Sequence, residues 1–223
     1  LKSNHEVLTR SKVIIDYLIK NKSAKLIVVA CNTATAAAIK DLRKIYKIPI
    51  IGMEPAIKPA TKSTKCKRVG ILATNGTLES AKFSALLETY SGDIDFYTQP
   101  CPGLVEIIEQ GKINNLSTKN LIQKYLNPFI SAEVDTIVLG CTHYTFIKNI
   151  IKNIMAPEVR IIDTGLAVAK QVKSELENFS LLSKSKETIY SISTNSINND
   201  RKVIINAVTK NSNFKFIYFD EWS

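Results

Sequence analysis

The chain has 223 residues, 45% hydrophobic and 22% charged, with only 8 Gly and 7 Pro. It can therefore bury one or two ordinary globular cores and is neither disordered nor fibrous. No apolar run approaches the roughly 18 residues of a membrane span, and the start, Leu-Lys-Ser, shows neither an initiator Met nor a signal-peptide pattern. We expect a soluble, cytoplasmic protein without a membrane partner.

The elements predicted from apolar periodicity alternate between helix and strand. Ser3 is placed to cap the first helix, and Glu6 completes a capping box. The strands that follow are predicted at 26–30, 48–53, 67–74, 95–100, 135–141 and 159–164, with two more at 187–194 and 213–220. The further helices are predicted at 34–46, 78–92, 103–111, 117–134, 165–178 and 198–210.

Strands separated by helical crossovers predict a parallel α/β fold. We expect two pseudo-symmetric, doubly wound lobes with the active site between them. Residues 1–58 together with 168–223 would form the first lobe, and 59–167 the second. The Pro-containing basic stretch 54–67 is read as a linker near their boundary.

The net charge of +10 would permit nucleic-acid binding, because basic patches attract phosphate. However, the lysines alternate with acidic residues along the predicted helices, and the longest basic cluster, "KSTKCKR" at 62–68, is short. We do not expect a nucleic-acid partner.

The four cysteines are too few and too scattered for a disulfide scaffold, and none forms a C-x-x-C pair. We therefore expect no metal site. Cys66 and Cys101 stand in no special context and are read as structural.

The other two cysteines occur in a repeated unit, "KLIVVACNTATAAA" at 25–38 and "DTIVLGCTHYTFIK" at 135–148. In each unit an apolar strand ends in a cysteine, Cys31 or Cys141, followed by small hydroxyl-bearing residues and a helical pattern. Ligands of open parallel sheets bind beyond the carboxyl ends of the strands. Two facing lobes would therefore present these thiols to one ligand from opposite sides.

Two opposed thiols suit the inversion of a stereocentre. One thiolate removes a proton from an amino-acid Cα, and a thiol returns a proton on the other face. A helix N-terminus makes a thiolate accessible near neutral pH. Asn32, Thr33 and Thr142, beside the two cysteines, offer hydrogen-bond donors to a substrate carboxylate.

The repeat also reveals a gap. Gly70, in the strand that opens the second unit, precedes Cys141 by 71 residues, and the same offset before Cys31 falls upstream of residue 1. We expect the first strand of the first lobe and its loop to be missing from this sequence.

The segments "VVACNTATAAA", "VLGCTHYTF", "IPIIGMEPAIKPA", "VGILATNGTLES" and "IIDTG" resemble, in order and spacing, those of the aspartate/glutamate racemase superfamily, in particular the cofactor-independent glutamate racemases. The resemblance covers about 1–180. It implies interconversion of L- and D-glutamate without a cofactor, which supplies D-glutamate for peptidoglycan. The resemblance is compatible with a homodimer but does not decide the oligomeric state.

The resemblance also implies catalytic roles for four residues. Cys31 would take the proton from D-glutamate and Cys141 the proton from L-glutamate. His143 would assist the Cys141 thiol, and Glu109 matches a carboxylate that the family places near the second half-site.

For substrate binding, the resemblance implies Asn32, Thr33 and Thr142, with Thr77 as a further candidate. The sequence departs from the family in three places. The opening D-S-G-x-G-G strand and the P-Y-G loop are absent, and Thr145 stands where a proline usually follows His-Tyr. A polypeptide that truly starts at residue 1 is expected to show negligible activity and to self-associate through an exposed strand edge.

Two alternatives stay open. An aspartate or hydantoin racemase of the same superfamily would use the same pair of thiols. A non-catalytic two-lobed binding protein would be expected to have lost one of them, whereas this sequence retains both.

Overall fold

The computed structural model describes residues 2–185, 190–194 and 214–218. Strands and helices alternate along the chain, as the periodicity predicts. The strands are β1 Ile27–Val29, β2 Ile50–Gly52, β3 Arg68–Ala73, β4 Asp95–Pro100, β5 Thr136–Leu139, β6 Arg160–Ile162, β7 Tyr190–Thr194 and β8 Phe214–Tyr218. The helices are α1 Asn4–Lys22, α2 Asn32–Ile45, α3 Ile57–Ser63, α4 Asn75–Leu78, α5 Ala81–Tyr90, α6 Leu104–Glu109, α7 Leu116–Ser131, α8 Lys148–Ile154 and α9 Gly165–Asn178.

The larger sheet forms the centre of the second lobe and has the order β4-β3-β5-β6, with every neighbouring pair parallel. β5 is buried along its whole length, and β3 from its second residue onward. Helices therefore cover both faces, which explains why these strands read as continuous apolar runs. The α7 side of the sheet carries the largest core cluster, which includes Phe129 and Tyr144, both fully buried.

The first lobe is built on β1 and β2, which pair in parallel with Ile27 opposite Ile50. α1 packs on α2, and the core between these elements contains Ile15 and Leu42. The predicted capping box is confirmed: the Ser3 hydroxyl accepts from the Glu6 N–H, and the Glu6 carboxylate accepts from the Ser3 N–H. β7 and β8 form a further parallel pair. The chain is thus an α/β protein with parallel sheets in two lobes.

Two details differ from the sequence prediction. The stretch 54–67, expected to be a linker, contains α3, whose Ile57 and Ala60 are fully buried in the core of the second lobe. Pro59 lies in the first turn of α3, where its missing N–H costs no helical hydrogen bond. The helix expected at 78–92 is shorter: α5 begins at Ala81, where Ser80 caps it, and the separate short helix α4 ends at Leu78. The helix expected at 198–210 lies outside the described residues.

A half-buried carboxylate fixes the loop before β3 to the start of β5. Asp135 accepts hydrogen bonds from the Thr64 hydroxyl at 2.6 Å and from the backbone N–H groups of Lys65 and Cys66 at 2.6 and 2.9 Å. Within residues 2–185 and the two short strands, no helix is both long and apolar enough to cross a membrane.

Candidate active site

The two cysteines of the repeat occupy equivalent backbone positions. Cys31 precedes α2 with φ −144° and ψ 124°, and Cys141 precedes the 3-10 helix Thr142–Ile147 with φ −142° and ψ 136°. Each follows the carboxyl end of a parallel strand, β1 or β5. The sequence repeat is therefore also a repeat of local structure, with both thiols at the ligand-binding edge of a sheet.

The surroundings of the two thiols differ. Cys31 is exposed, and its Sγ accepts the N–H of Ala34 at 3.5 Å, where the positive end of the α2 dipole favours negative charge. Cys141 is only 9% exposed. Burial raises the pKa of Cys141 to about 11, and the nearby charge of Cys31 acts in the same direction, against the hydrogen bonds from the backbone of His143 and Tyr144.

A hydrogen bond joins the two cysteine segments directly. Asn32 Nδ2, one residue after Cys31, donates to the carbonyl oxygen of Gly140, one residue before Cys141, at 2.7 Å. Asn32 is 4% exposed. The N-terminal turn of α2 therefore contacts the end of β5, and the lobes meet at the two cysteines.

Cys141 is the first of three side chains that contact one another in series, followed by His143 and Glu109. His143 Nδ1 lies 3.8 Å from Cys141 Sγ, and His143 Nε2 lies 3.2 Å from Glu109 Oε1. Glu109 ends α6 and His143 lies in the 3-10 helix after β5, so two separate crossovers bring the pair together. When Nε2 donates to the carboxylate, Nδ1 carries the lone pair and can accept the thiol proton.

Three threonine hydroxyls form a cluster between the lobes. Thr33 Oγ1 lies 2.9 Å from Thr74 Oγ1 and 3.1 Å from Thr77 Oγ1, and the last two lie 3.1 Å apart. Sequence reasoning selected Thr33 and Thr77 but missed Thr74. The available signal was the T-x-x-T spacing after β3: Thr74 caps α4 by accepting the Thr77 N–H.

Thr142 is half-buried and begins the 3-10 helix beside Cys141. Its carbonyl oxygen accepts the Thr145 hydroxyl at 2.8 Å. Thr145, which replaces the proline of the family pattern, thereby holds this turn with a side-chain hydrogen bond.

Of the two cysteines expected to be structural, Cys101 is 2% exposed in the core of the second lobe, and burial raises its pKa to about 12. Cys66 lies before β3, in the loop held by Asp135 at the opposite end of the sheet from Cys141.

The structure brings six of the eight predicted residues into three groups: the bridge from Asn32 to Gly140, the chain from Glu109 through His143 to Cys141, and the threonine cluster with Thr33 and Thr77. The other two, Cys31 and Thr142, lie next in the chain to Asn32 and Cys141. Two thiols next to this bridge, with hydroxyl groups nearby, are the kinds of group that proton transfer on two faces of a small polar molecule requires. The importance of Gly140 was not visible in the sequence.

The sequence model of the Asp/Glu/Hydantoin racemase family matches residues 6–172. A glutamate racemase of Pseudomonas syringae pv. tomato is 46% identical over 187 residues, which is 82% of this chain and 68% of that protein. A glutamate racemase of Pseudomonas paraeruginosa is 46% identical over 182 residues, covering 81% of this chain and 68% of the relative.

Solved structures agree with this similarity. The Escherichia coli glutamate racemase in complex with L-glutamate and the activator UDP-MurNAc-Ala superposes with a TM-score of 0.84 at 24% identity, over 97% of this chain and 82% of that one. The Francisella tularensis glutamate racemase in complex with D-glutamate gives 0.80 at 26% identity, over 97% and 81%. The chain therefore belongs to the Asp/Glu/Hydantoin racemase family and, within it, to the glutamate racemases, which are amino-acid isomerases.

Proposed function

We propose that the protein interconverts L- and D-glutamate by two-base proton transfer at Cα, with Cys31 and Cys141 on opposite faces of the substrate. The observation that carries this proposal is the hydrogen bond from Asn32 to Gly140, since it joins the residue after one cysteine to the residue before the other. In the direction from D- to L-glutamate, Cys31 removes the α-proton as a thiolate and Cys141 donates its thiol proton to the other face.

The burial of Cys141 suits the acid role. Because burial raises its pKa to about 11, this thiol is protonated near neutral pH and ready to donate. The reverse direction requires the thiolate. His143 Nδ1, 3.8 Å from the sulfur, receives the proton, and Glu109 stabilises the resulting imidazolium through Nε2.

The substrate is proposed to bind between the two cysteine turns. The hydroxyls of Thr33 and Thr77, together with Thr142, donate to a carboxylate near the N-terminus of α2. Asn32 Oδ1 is buried with no hydrogen-bond partner among the described residues, so it offers an acceptor to the ammonium group. Thr74 joins this set through its contacts with Thr33 and Thr77.

The physiological part of the proposal follows the family resemblance: the D-glutamate produced serves peptidoglycan synthesis. We place the protein in the cytoplasm. Both proposed catalytic groups are free thiols, which a reducing compartment preserves. We also propose the two lobes with the bounds predicted from the sequence: residues 1–58 together with 168–223, and residues 59–167.

Single-cysteine variants test the assignment. Cys31→Ser and Cys141→Ser should each lower racemisation by at least about 10²-fold, as expected for the loss of one acid–base group. In D₂O, Cys31→Ser should still exchange the α-hydrogen of L-glutamate, and Cys141→Ser that of D-glutamate, because each remaining thiol serves one face. Cys66→Ser, at the other end of the sheet, is the matched control.

Chiral chromatography with mass spectrometry reads both outcomes. Racemisation of L-glutamate by Cys31→Ser at the wild-type rate would refute the assignment. Parallel assays with L-aspartate and with a hydantoin test the alternative substrates, and the absence of turnover with every substrate would favour a binding protein.

A further inference from the structure

The hydrogen bond between Asn32 and Gly140 has a fixed direction. A backbone carbonyl only accepts, so the amide nitrogen of Asn32, rather than its oxygen, faces Gly140 at 2.7 Å. By contrast, either oxygen can donate in each pair of the threonine cluster. The threonine hydroxyls can therefore reorganise around a ligand, whereas the amide contact with Gly140 admits one arrangement.

Gly140 is itself held rigidly by its neighbours. Its N–H donates to the Leu72 carbonyl at 2.7 Å. A Cβ at this position would lie 2.9 Å from both the Leu72 carbonyl oxygen and Ala73 Cβ, so only glycine fits against β3. Asn32 thus attaches the first lobe to a peptide of the second that is held against β3.

The contact also occupies a special place in the sequence. Asn32 follows Cys31 directly and begins α2, while Gly140 directly precedes Cys141. Each thiol is therefore one residue away from the hydrogen bond. Loss of this contact would free the N-terminal turn of α2 to move relative to β5 and would change the space between the two sulfur atoms.

We propose that Asn32 is a positioning residue that sets the separation of the Cys31 and Cys141 thiols and holds the lobes closed, in addition to any contact with substrate. Its catalytic consequence rests on the proposed two-thiol function. The geometric claim does not, because it concerns only the contact between Asn32 and Gly140.

The test compares Asn32→Asp with Asn153→Asp. Asn32→Asp keeps the side-chain shape and an acceptor oxygen but loses the donor to Gly140, and Asn32→Ser, too short to reach the carbonyl, is a second variant. Asn153→Asp makes the same chemical change at an exposed position of α8, outside the site. Thermal unfolding of each variant verifies that it is folded.

The first measurement needs no substrate. A two-carbon bis-methanethiosulfonate reagent is added, and peptide mass mapping quantifies the bridge between Cys31 and Cys141, normalised to single-site labelling of Cys31. We expect both Asn32 variants to lower the bridging rate about tenfold, and Asn153→Asp to leave it at the wild-type value. Wild-type bridging in both Asn32 variants would overturn the proposal.

The second measurement separates positioning from binding. Asn32→Asp should lower kcat about tenfold for L- and D-glutamate alike, because both transfers depend on the spacing of the thiols. Loss of a substrate contact alone would raise KM and leave kcat unchanged, and that result would overturn the positioning role. If the wild-type protein forms the bridge between its thiols but does not racemise glutamate, the proposed two-thiol function is refuted. The bridging rates of the variants still test whether Asn32 sets the separation of the thiols.

Discussion

His143 Nε2 lies 3.2 Å from Glu109 Oε1, although the two residues are 34 positions apart in the chain. The same imidazole contacts Cys141 through its other nitrogen. The Cys141 thiol therefore lies beside an imidazole that is itself paired with a carboxylate. Among the described residues, the hydrogen bond to the Cys31 thiol comes instead from the backbone of α2. The two cysteines therefore share a backbone geometry but differ in the groups that contact each sulfur.

Glu109→Gln tests this support. The variant should lower kcat roughly tenfold or more, because a hydrogen bond to a charged group is lost when the imidazolium forms. Proton removal by Cys141 should become more rate-limiting, so the primary isotope effect should increase with α-deuterated L-glutamate and not with the D-enantiomer. Steady-state assays with both deuterated enantiomers measure this difference.

The matched control is Glu106→Gln, an exposed carboxylate on the same helix α6. It should leave the rates and isotope effects at wild-type values. Equal isotope effects for both enantiomers in Glu109→Gln would contradict a role for the carboxylate at Cys141 alone.

Asp135 predicts sensitivity to acid. Burial alone raises its pKa, but the hydrogen bonds from the Thr64 hydroxyl and from the backbone of Cys66 and Lys65 outweigh burial and hold the pKa well below its usual range. A depressed pKa stabilises the folded state above the unfolded value of roughly 3.9, and this stability is lost as pH falls below it. Asp135→Asn should therefore lower the free energy of unfolding at pH 7 by about 2 kcal/mol.

Urea unfolding from pH 7 to pH 2 measures this effect. The difference between wild type and Asp135→Asn should shrink as the wild-type carboxylate becomes protonated. A difference that stays constant down to pH 2 would show that the loop before β3 does not depend on the charge of Asp135.

The buried Cys101 predicts sensitivity to alkali. Burial raises its pKa to about 12, against roughly 8.5 for a cysteine in an unfolded chain. A raised pKa stabilises the folded state fully below the unfolded value, and this stability is lost as pH rises toward the folded value. The free energy of unfolding should therefore fall between about pH 8.5 and 12, and Cys101→Ala should weaken that dependence. Urea unfolding under reducing conditions at pH 7.5, 9 and 10.5 measures this free energy. An equal decrease with pH in wild type and in Cys101→Ala would show that Cys101 does not cause the dependence.

The alternation of elements could be predicted from sequence because buried parallel strands such as β3 and β5 are continuous apolar runs. α3 was missed because Pro59 and the lysines around it suggest a linker, whereas tertiary burial of Ile57 and Ala60 decides the outcome. Local pattern cannot show such burial.

For the site, the repeat and the family resemblance predicted which residues to consider. The contact between Asn32 and Gly140 and the partnership of Thr33 with Thr74 join positions 108 and 41 residues apart, and a single sequence shows no such pairing. Gly140 contributes its backbone carbonyl, a group that every residue has, so the sequence does not indicate this contact.

The most direct test of the two-thiol account is racemisation of L-glutamate in D₂O, stopped at low conversion, with the deuterium content of each enantiomer measured by chiral separation and mass spectrometry. Two bases on opposite faces predict that the D-glutamate formed carries deuterium at Cα while the remaining L-glutamate does not, because the proton removed by Cys141 and the deuteron delivered by Cys31 belong to different groups. Product D-glutamate that keeps the original hydrogen would indicate a single base serving both faces and would contradict the account.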